Sequence, residues 1–214
     1  MPNLIGTGRL ADDIYLLAHH EVSGKPFLQP RAIGLGLAGG LLAELMLIDA
    51  IRVAGDRVAV TDRVHPEDGL TRAVQLQVLR ERQRHDARDW LTFLAQTAAE
   101  NVARRLERSG YLVLTHTRRP WRAARWIPVD ADCAFAPLIR VKAALDPLRP
   151  SGQESTALAG LAMACGLGPR LLAYGPPGAR RQLEQRIRQL SPSLRELIGH
   201  TQAAVDSALL TQRM

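Results

Sequence analysis

Apolar residues recur at helical spacing along most of the chain, and in two places the period falls to two. Ile14, Leu16 and Leu17 mark one side of a short helix over residues 10 to 20, which Ser23-Gly24-Lys25-Pro26 ends with turn chemistry. From Ala32 to Ile48 the chain is apolar except for Glu44. That run is shorter than the ~20 residues of a typical membrane span, and a central acid there costs about 2.5 to 3.5 kcal/mol. It reads as a buried helix, whose Gly34, Gly36, Gly39 and Gly40 permit close approach of its neighbours. Ile51-Arg-Val-Ala and Arg57-Val-Ala-Val then alternate around Gly55-Asp56, a first β-hairpin.

A helix over residues 70 to 82 follows, and a longer one over residues 87 to 109. The long one carries Trp90, Leu94, Ala98, Val102 and Leu106 at four-residue spacing with Phe93 beside them, Asp86 as N-cap and Gly110 as stop. Residues 111 to 130 read as a second hairpin. Asp130 caps a helix toward Leu148, a further helix covers residues 154 to 164, and Gly175-Pro-Pro-Gly178 turns the chain into a basic amphipathic helix with Leu183, Ile187 and Leu190. Ser191-Pro192-Ser193 introduces the last helix. The expected fold is mainly α, a single-domain helical bundle over residues 1 to 214 with two short β-hairpins, and it departs from any alternating strand-helix architecture.

Charge changes the picture more than composition does. The net charge is +7 and nearly all of the basic excess is arginine, Lys25 and Lys142 being the only lysines. Such a balance favours partners that bear phosphate, either nucleic acid or an anionic bilayer. Cys133 and Cys165 lie in apolar helical surroundings without a CxxC, which excludes a cysteine metal cluster and points to a reducing, cytoplasmic setting. The first residues lack the basic start and long apolar region of a signal peptide.

Catalytic and cofactor motifs find no support. Gly34-Leu-Gly-Leu-Ala-Gly39 matches the letters of the dinucleotide fingerprint, but it sits inside a helical run and follows the proline-bound Pro26-Phe-Leu-Gln-Pro30 instead of a strand. His19, His20, His65, His85, His116 and His200 form no HExxH motif, and no serine stands in a GxSxG elbow. No catalytic residue, metal ligand or cofactor is assigned. Arg104, Arg105 and Arg108, like Arg180, Arg181, Arg186 and Arg188, read as solvated helix faces, with Glu184 and Arg188 an i,i+4 pair.

The second hairpin is different. Between Tyr111-Leu-Val-Leu-Thr-His-Thr and Ile127-Pro128-Val129-Asp130 it places Arg118, Arg119, Arg122 and Arg125 with Trp121 and Trp126, two of the chain's three tryptophans. Arginine presents a planar fork of donors suited to phosphate, and tryptophan settles at a membrane interface. These six residues are the candidate lipid- and anion-binding site. Read with the helices before it, residues 70 to 130 also describe a winged-helix DNA-binding module with the hairpin as wing, against which the helix before the hairpin offers no base-reading polar set beyond Asn101, Arg104, Arg105 and Arg108.

The order of these motifs resembles the Golgi phosphoprotein 3 family in its bacterial form, over nearly the whole chain. The resemblance rests on Gly36-Leu-Ala-Gly39-Gly-Leu-Leu-Ala-Glu44-Leu45 followed by a short hairpin, on Asn101-Val-x-x-x-Leu106-x-x-x-Gly110-x-Leu112 running into the second hairpin, and on Leu158-Ala-Gly-Leu-Ala-Met-Ala-Cys-Gly-Leu downstream. It implies a mainly helical, non-enzymatic adaptor that binds phosphatidylinositol 4-phosphate at Golgi membranes and retains protein cargo, the glycosyltransferases. At the positions of the family's headgroup pocket this chain has Gln29, Ala38, Gln96 and Ala99, so the pocket's ring and charges are not retained. The hairpin, in the family a place of self-association and membrane contact, does match. The expectation is a cytoplasmic, peripheral membrane protein that docks on anionic phospholipid through the hairpin and self-associates through residues 111 to 130.

Overall fold

The computed structural model describes residues 7–61, 64–81, 85–115, 124–173 and 175–211. Its helices are α1 (Leu10–Ala18), α2 (Pro30–Leu47), α3 (Gly69–Arg80), α4 (Ala87–Arg108), α5 (Ala131–Leu145), α6 (Gln153–Ala162), α7 (Gly168–Leu172), α8 (Ala179–Gln189) and α9 (Pro192–Thr211). Two antiparallel hairpins interrupt them, β1 (Ile51–Ala54) with β2 (Arg57–Val60), and β3 (Leu112–Thr115) with β4 (Arg125–Pro128). The mainly helical class with two short hairpins is therefore observed.

α2 is the axis of the bundle. It packs most extensively on α4, α1 and α9, and 78% of it is buried, although its length and hydropathy alone would let it cross a membrane. The glycines make this packing possible. A Cβ on Gly34 would lie 2.6 Å from the Ala95 carbonyl oxygen of α4, and one on Gly40 would lie 2.8 Å from the Ala11 Cα of α1. Gly36 and Gly39 leave room for the side chains of Cys165 and Thr201. α4 and α1 thus approach α2 almost to backbone contact, at the expense of helix propensity.

Local signals explain the boundaries of α3 and α4. The Asp68 carboxylate accepts from Thr71 N–H at the start of α3 and the Asp86 carboxylate from Asp89 N–H at the start of α4, while Gly110, at φ +77°, takes the chain out of α4. The first hairpin has the register Ile51↔Val60 to Ala54↔Arg57 and is clamped by α9, where Ser193 Oγ donates to the Val53 carbonyl at 2.6 Å and Glu196 accepts from Gly55 N–H at 2.9 Å.

Three details differ from the sequence expectation. The helix expected over residues 154 to 164 does not stop there: α6 continues through a π turn, Met163–Leu167, into α7, with Gly166 at φ +103° breaking the regular helix. The periodicity was lost there because the turn carries one residue more than an α-helical repeat. Glu184 and Arg188 do not pair through their side chains; Arg188 Nε donates to the Glu184 backbone carbonyl at 3.3 Å. Arg186 is not part of a solvated face either. Its guanidinium donates to the carbonyls of Ala143, Asp146 and Arg149 at 2.7, 2.8 and 2.6 Å, sealing the C-terminal end of α5.

Candidate functional site

The β3–β4 hairpin leaves the helical body at the end of α4. Its register runs Leu112↔Pro128, Val113↔Ile127, Leu114↔Trp126 and Thr115↔Arg125. The Val129 N–H donates to the Tyr111 carbonyl at 3.0 Å and closes the base. Leu112 is buried in the core, whereas Val113 on the opposite face of the strand is 47% exposed. Alternation thus fixes one face of the ribbon to the body and turns the other outward.

Of the six sequence-predicted residues, Arg118, Arg119, Trp121 and Arg122 lie outside the described residues. Arg125 is exposed at the outer end of β4. Trp126 is half-buried, packs against the core, and donates its indole N–H to the Glu107 carboxylate of α4 at 3.4 Å. It is a foot for the hairpin more than a projecting group.

The loop between α1 and α2 supports the same strand from the other side. Gly24, at φ +61°, lies so close to the Trp126 carbonyl that no side chain fits between them. The loop is held in shape by His20 N–H donating to the Lys25 carbonyl at 2.8 Å and Phe27 N–H donating to the Ala18 carbonyl at 2.9 Å. Exposed Val22, Lys25 and Phe27 therefore stand beside the hairpin base, and the Arg170 guanidinium lies 3.8 Å above the Phe27 ring while bonding Glu21 at 3.3 Å. His19, beneath them, stacks on Tyr15; burial pushes its pKa down, the Tyr15 carbonyl that its ring meets at 2.7 Å pulls it back up, and the charge of Arg125 lowers it further. Cationic and apolar side chains alternate around this end of the molecule.

The four headgroup-pocket positions are brought together only in part. Gln96 and Ala99 line a cleft of about 440 Å³ on α4, together with Pro30, Arg31 and Leu35 of α2, and Gln29 precedes that helix as its N-cap. Ala38 is fully buried two turns further along α2. Arg31 brings the cleft a cation, but from a position that sequence reasoning did not select.

What ties α4, from which the hairpin leaves, to its neighbours is a charged cluster that sequence reasoning missed. Arg105 does not lie on a solvated face of α4: it is 3% exposed. Its Nε donates to Asp12 of α1 at 2.7 Å, Nη1 to Asp68 at 2.9 Å, and Nη1 and Nη2 to Glu44 of α2 at 3.1 Å each. Glu44 also accepts from Ala11 N–H at 2.8 Å. One guanidinium thereby ties α4 to α1, α2 and the N-terminus of α3. Burial pushes the Asp12 carboxyl up to about 7 against the pull of Arg105, and burial likewise raises Glu44. Asp68, less buried, ends below the ordinary carboxylate range: the desolvation that would raise it is outweighed by the Thr71 N–H and Arg105. Arg104, one residue earlier, does face solvent and pairs with Glu100 at 2.6 Å. Beside Asp12, Asp13 pairs with Arg140 and joins α1 to α5.

This disposition takes Arg105 out of the base-reading set of the DNA-binding alternative, while Arg108 stays exposed on α4. Asn101 donates to Thr97 on its own helix at 3.2 Å, Arg104 is engaged by Glu100, and Arg105 is inside the protein. Cys133 and Cys165 are buried free thiols, and burial pushes the latter up to about 12. Among the described residues no group of three histidine, cysteine or acidic side chains is arranged to hold a metal ion.

A family model, Golgi phosphoprotein 3 (GPP34), matches residues 10–208. No curated protein matches the chain.

Proposed function

The chain belongs to the Golgi phosphoprotein 3 family, and from that premise we propose that it is a single-domain, non-enzymatic peripheral membrane protein of the cytoplasm that docks on anionic phospholipid through its second hairpin. The observation that carries the proposal is the way β3 and β4 are mounted. Trp126 and Gly24 secure the base, Arg125 and Val113 face outward, and the sequence between the strands supplies Arg118, Arg119, Trp121 and Arg122. Lys25, Phe27 and Arg170 next to that base extend the cationic and apolar character of the same end.

Each arginine near an anionic surface contributes about 1 kcal/mol, so the four hairpin arginines contribute roughly 4 kcal/mol before any tryptophan inserts. That is weak for one copy. Self-association through residues 111 to 130 would raise the effective concentration and make the binding useful, and protein cargo would then be held at the membrane by the same assembly. The cleft at Gln96 and Ala99 holds Arg31 as its single cation among the described residues, so the attraction is to surface charge more than to one headgroup.

Flotation with liposomes of matched charge tests this reading. Recovery should require anionic lipid, fall steeply as salt shortens the Debye length below about 10 Å, and differ little between phosphatidylinositol 4-phosphate and phosphatidylserine. Binding that ignores salt, or that is strongly selective for the phosphoinositide, would overturn it.

A further inference from the structure

A cavity of about 480 Å³ lies between α8, α9 and the π turn that follows α6. Its floor is apolar, built from Met163 of the turn, Leu183 and Ile187 of α8, and Ile198 of α9. Gly199, beside Ile198 and inside α9, leaves a gap in the wall, where a Cβ would meet nothing within 4 Å. Packing does not call for a glycine at that position, and glycine weakens a helix interior. What its missing side chain provides is room in the cavity.

The edge of the cavity is charged. Arg180 and Glu184 stand one turn apart on α8, both exposed, a spacing at which opposite charges can pair. They do not pair: among the described residues neither the Arg180 guanidinium nor the Glu184 carboxylate has a hydrogen-bond or ion-pair partner, and it is the backbone carbonyl of Glu184 that accepts from Arg188. Gln202 of α9 lines the same cavity. Its NH2 donates to Asp206 at 2.9 Å, so its carbonyl oxygen is the end left for a ligand.

These features select among ligands. An anion alone would be drawn to Arg180 and repelled by Glu184, and a cation alone would meet the reverse. A sugar stacks on an aromatic face, and no ring among the described residues lines the cavity. A molecule with both charges at one end and an apolar group at the other satisfies edge and floor together. We infer that the cavity binds a free apolar α-amino acid, its carboxylate on Arg180, its ammonium on Glu184 and the Gln202 carbonyl, and its side chain on the apolar floor in the room left by Gly199. The site shares no residue with the hairpin or with the headgroup-pocket positions, so it stands whether or not the hairpin docks on membranes.

Calorimetric titration of the full chain with leucine, serine, N-acetylleucine and leucinamide is the test. Leucine should bind saturably and roughly tenfold or more tightly than serine, whose side chain has little apolar surface to bury. N-acetylleucine lacks the ammonium and leucinamide the carboxylate, so each should bind several-fold more weakly than leucine. Arg180→Gln should weaken leucine several-fold and leave leucinamide unchanged, and Glu184→Gln should weaken leucine and leave N-acetylleucine unchanged. Both side chains are exposed, so the melting temperature should stay within about 2 °C. Gly199→Met should abolish binding while the melting temperature holds or rises, since a helix-favouring side chain then fills the gap. Absence of saturable heat, equal binding of leucine and serine, N-acetylleucine or leucinamide binding as tightly as leucine, or a Gly199→Met variant that binds as the native chain does would overturn the assignment.

Discussion

Replacing Arg105 by methionine should be among the most damaging single changes in this protein. The substitution keeps an unbranched apolar stem and removes four charge-assisted hydrogen bonds, to Asp12, Asp68 and twice to Glu44. Three carboxylates would then share a pocket without their central cation; Arg9, 3.7 Å from Asp68 and also within reach of Asp12's field, is a partly exposed charge at the rim. Breaking a buried ion pair by deleting one partner costs about 3 to 5 kcal/mol, mostly because the remaining charge is stranded. For a chain of this size each kcal/mol lowers the melting temperature by about 2 to 4 °C, so a fall of roughly 6 to 20 °C is expected near neutral pH. The deficit should shrink at about pH 5, where the orphaned carboxylates take up protons. Urea unfolding followed by circular dichroism measures it, with Arg104→Met as control. That residue sits one position away in an exposed pair with Glu100, and its loss should cost no more than about 0.5 kcal/mol. If Arg105→Met costs under about 1 kcal/mol, or no more than Arg104→Met, the cluster does not hold the helices together.

Three further outcomes are expected. Because burial raises Asp12 to about 7 from its ordinary 3.8, its contribution to stability is fully present below about pH 4 and lost as pH rises toward 7; Asp12→Asn should therefore gain stability relative to the native chain, by on the order of 1 kcal/mol, as parallel unfolding curves move from about pH 5 to about pH 7. Gly40→Ala should destabilise by about 1 to 3 kcal/mol, since its Cβ would press on the α1 backbone at Ala11, whereas Gly199→Ala, inside α9 with open space around it, should stabilise by about 0.5 to 1 kcal/mol; thermal melts that rank them the other way would refute the close-packed α2. Trp126→Ala should cost about 2 kcal/mol through lost packing against the core and Glu107, a stability deficit absent from an exposed-anchor role, and an unchanged melting curve would show that the indole is free.

The parts of the fold that were legible are those set by neighbours in sequence. Asp86, the Trp90 to Leu106 stripe and Gly110 define α4 on their own, and the glycines of α2 announce close packing before any partner is known. Arg105 was not legible because a helical wheel knows only one helix. It lies at the edge of the α4 stripe, and α1 and the start of α3 cover that edge only in three dimensions. The available signal was the complement: Glu44 in an apolar helix and Asp12 beside Leu10 and Ile14 are acids that need a buried cation. The candidate site was half legible for the same reason. Alternation gave the hairpin and its basic composition, but the burial of Trp126 depends on the α1–α2 loop and on Glu107, which lie far from it in sequence or on another element.

The central claim, that the hairpin arginines carry the protein to anionic membranes, is tested most directly by one flotation measurement. The variant carries Arg118→Ser, Arg119→Ser, Arg122→Ser and Arg125→Ser together, and is compared with the native chain on phosphatidylserine vesicles at about 0.1 M salt. Losing roughly 4 kcal/mol of surface attraction should bring recovery down to the level seen with neutral vesicles while the melting temperature stays unchanged. Recovery equal to that of the native chain would contradict the claim and move membrane contact to another face of the protein.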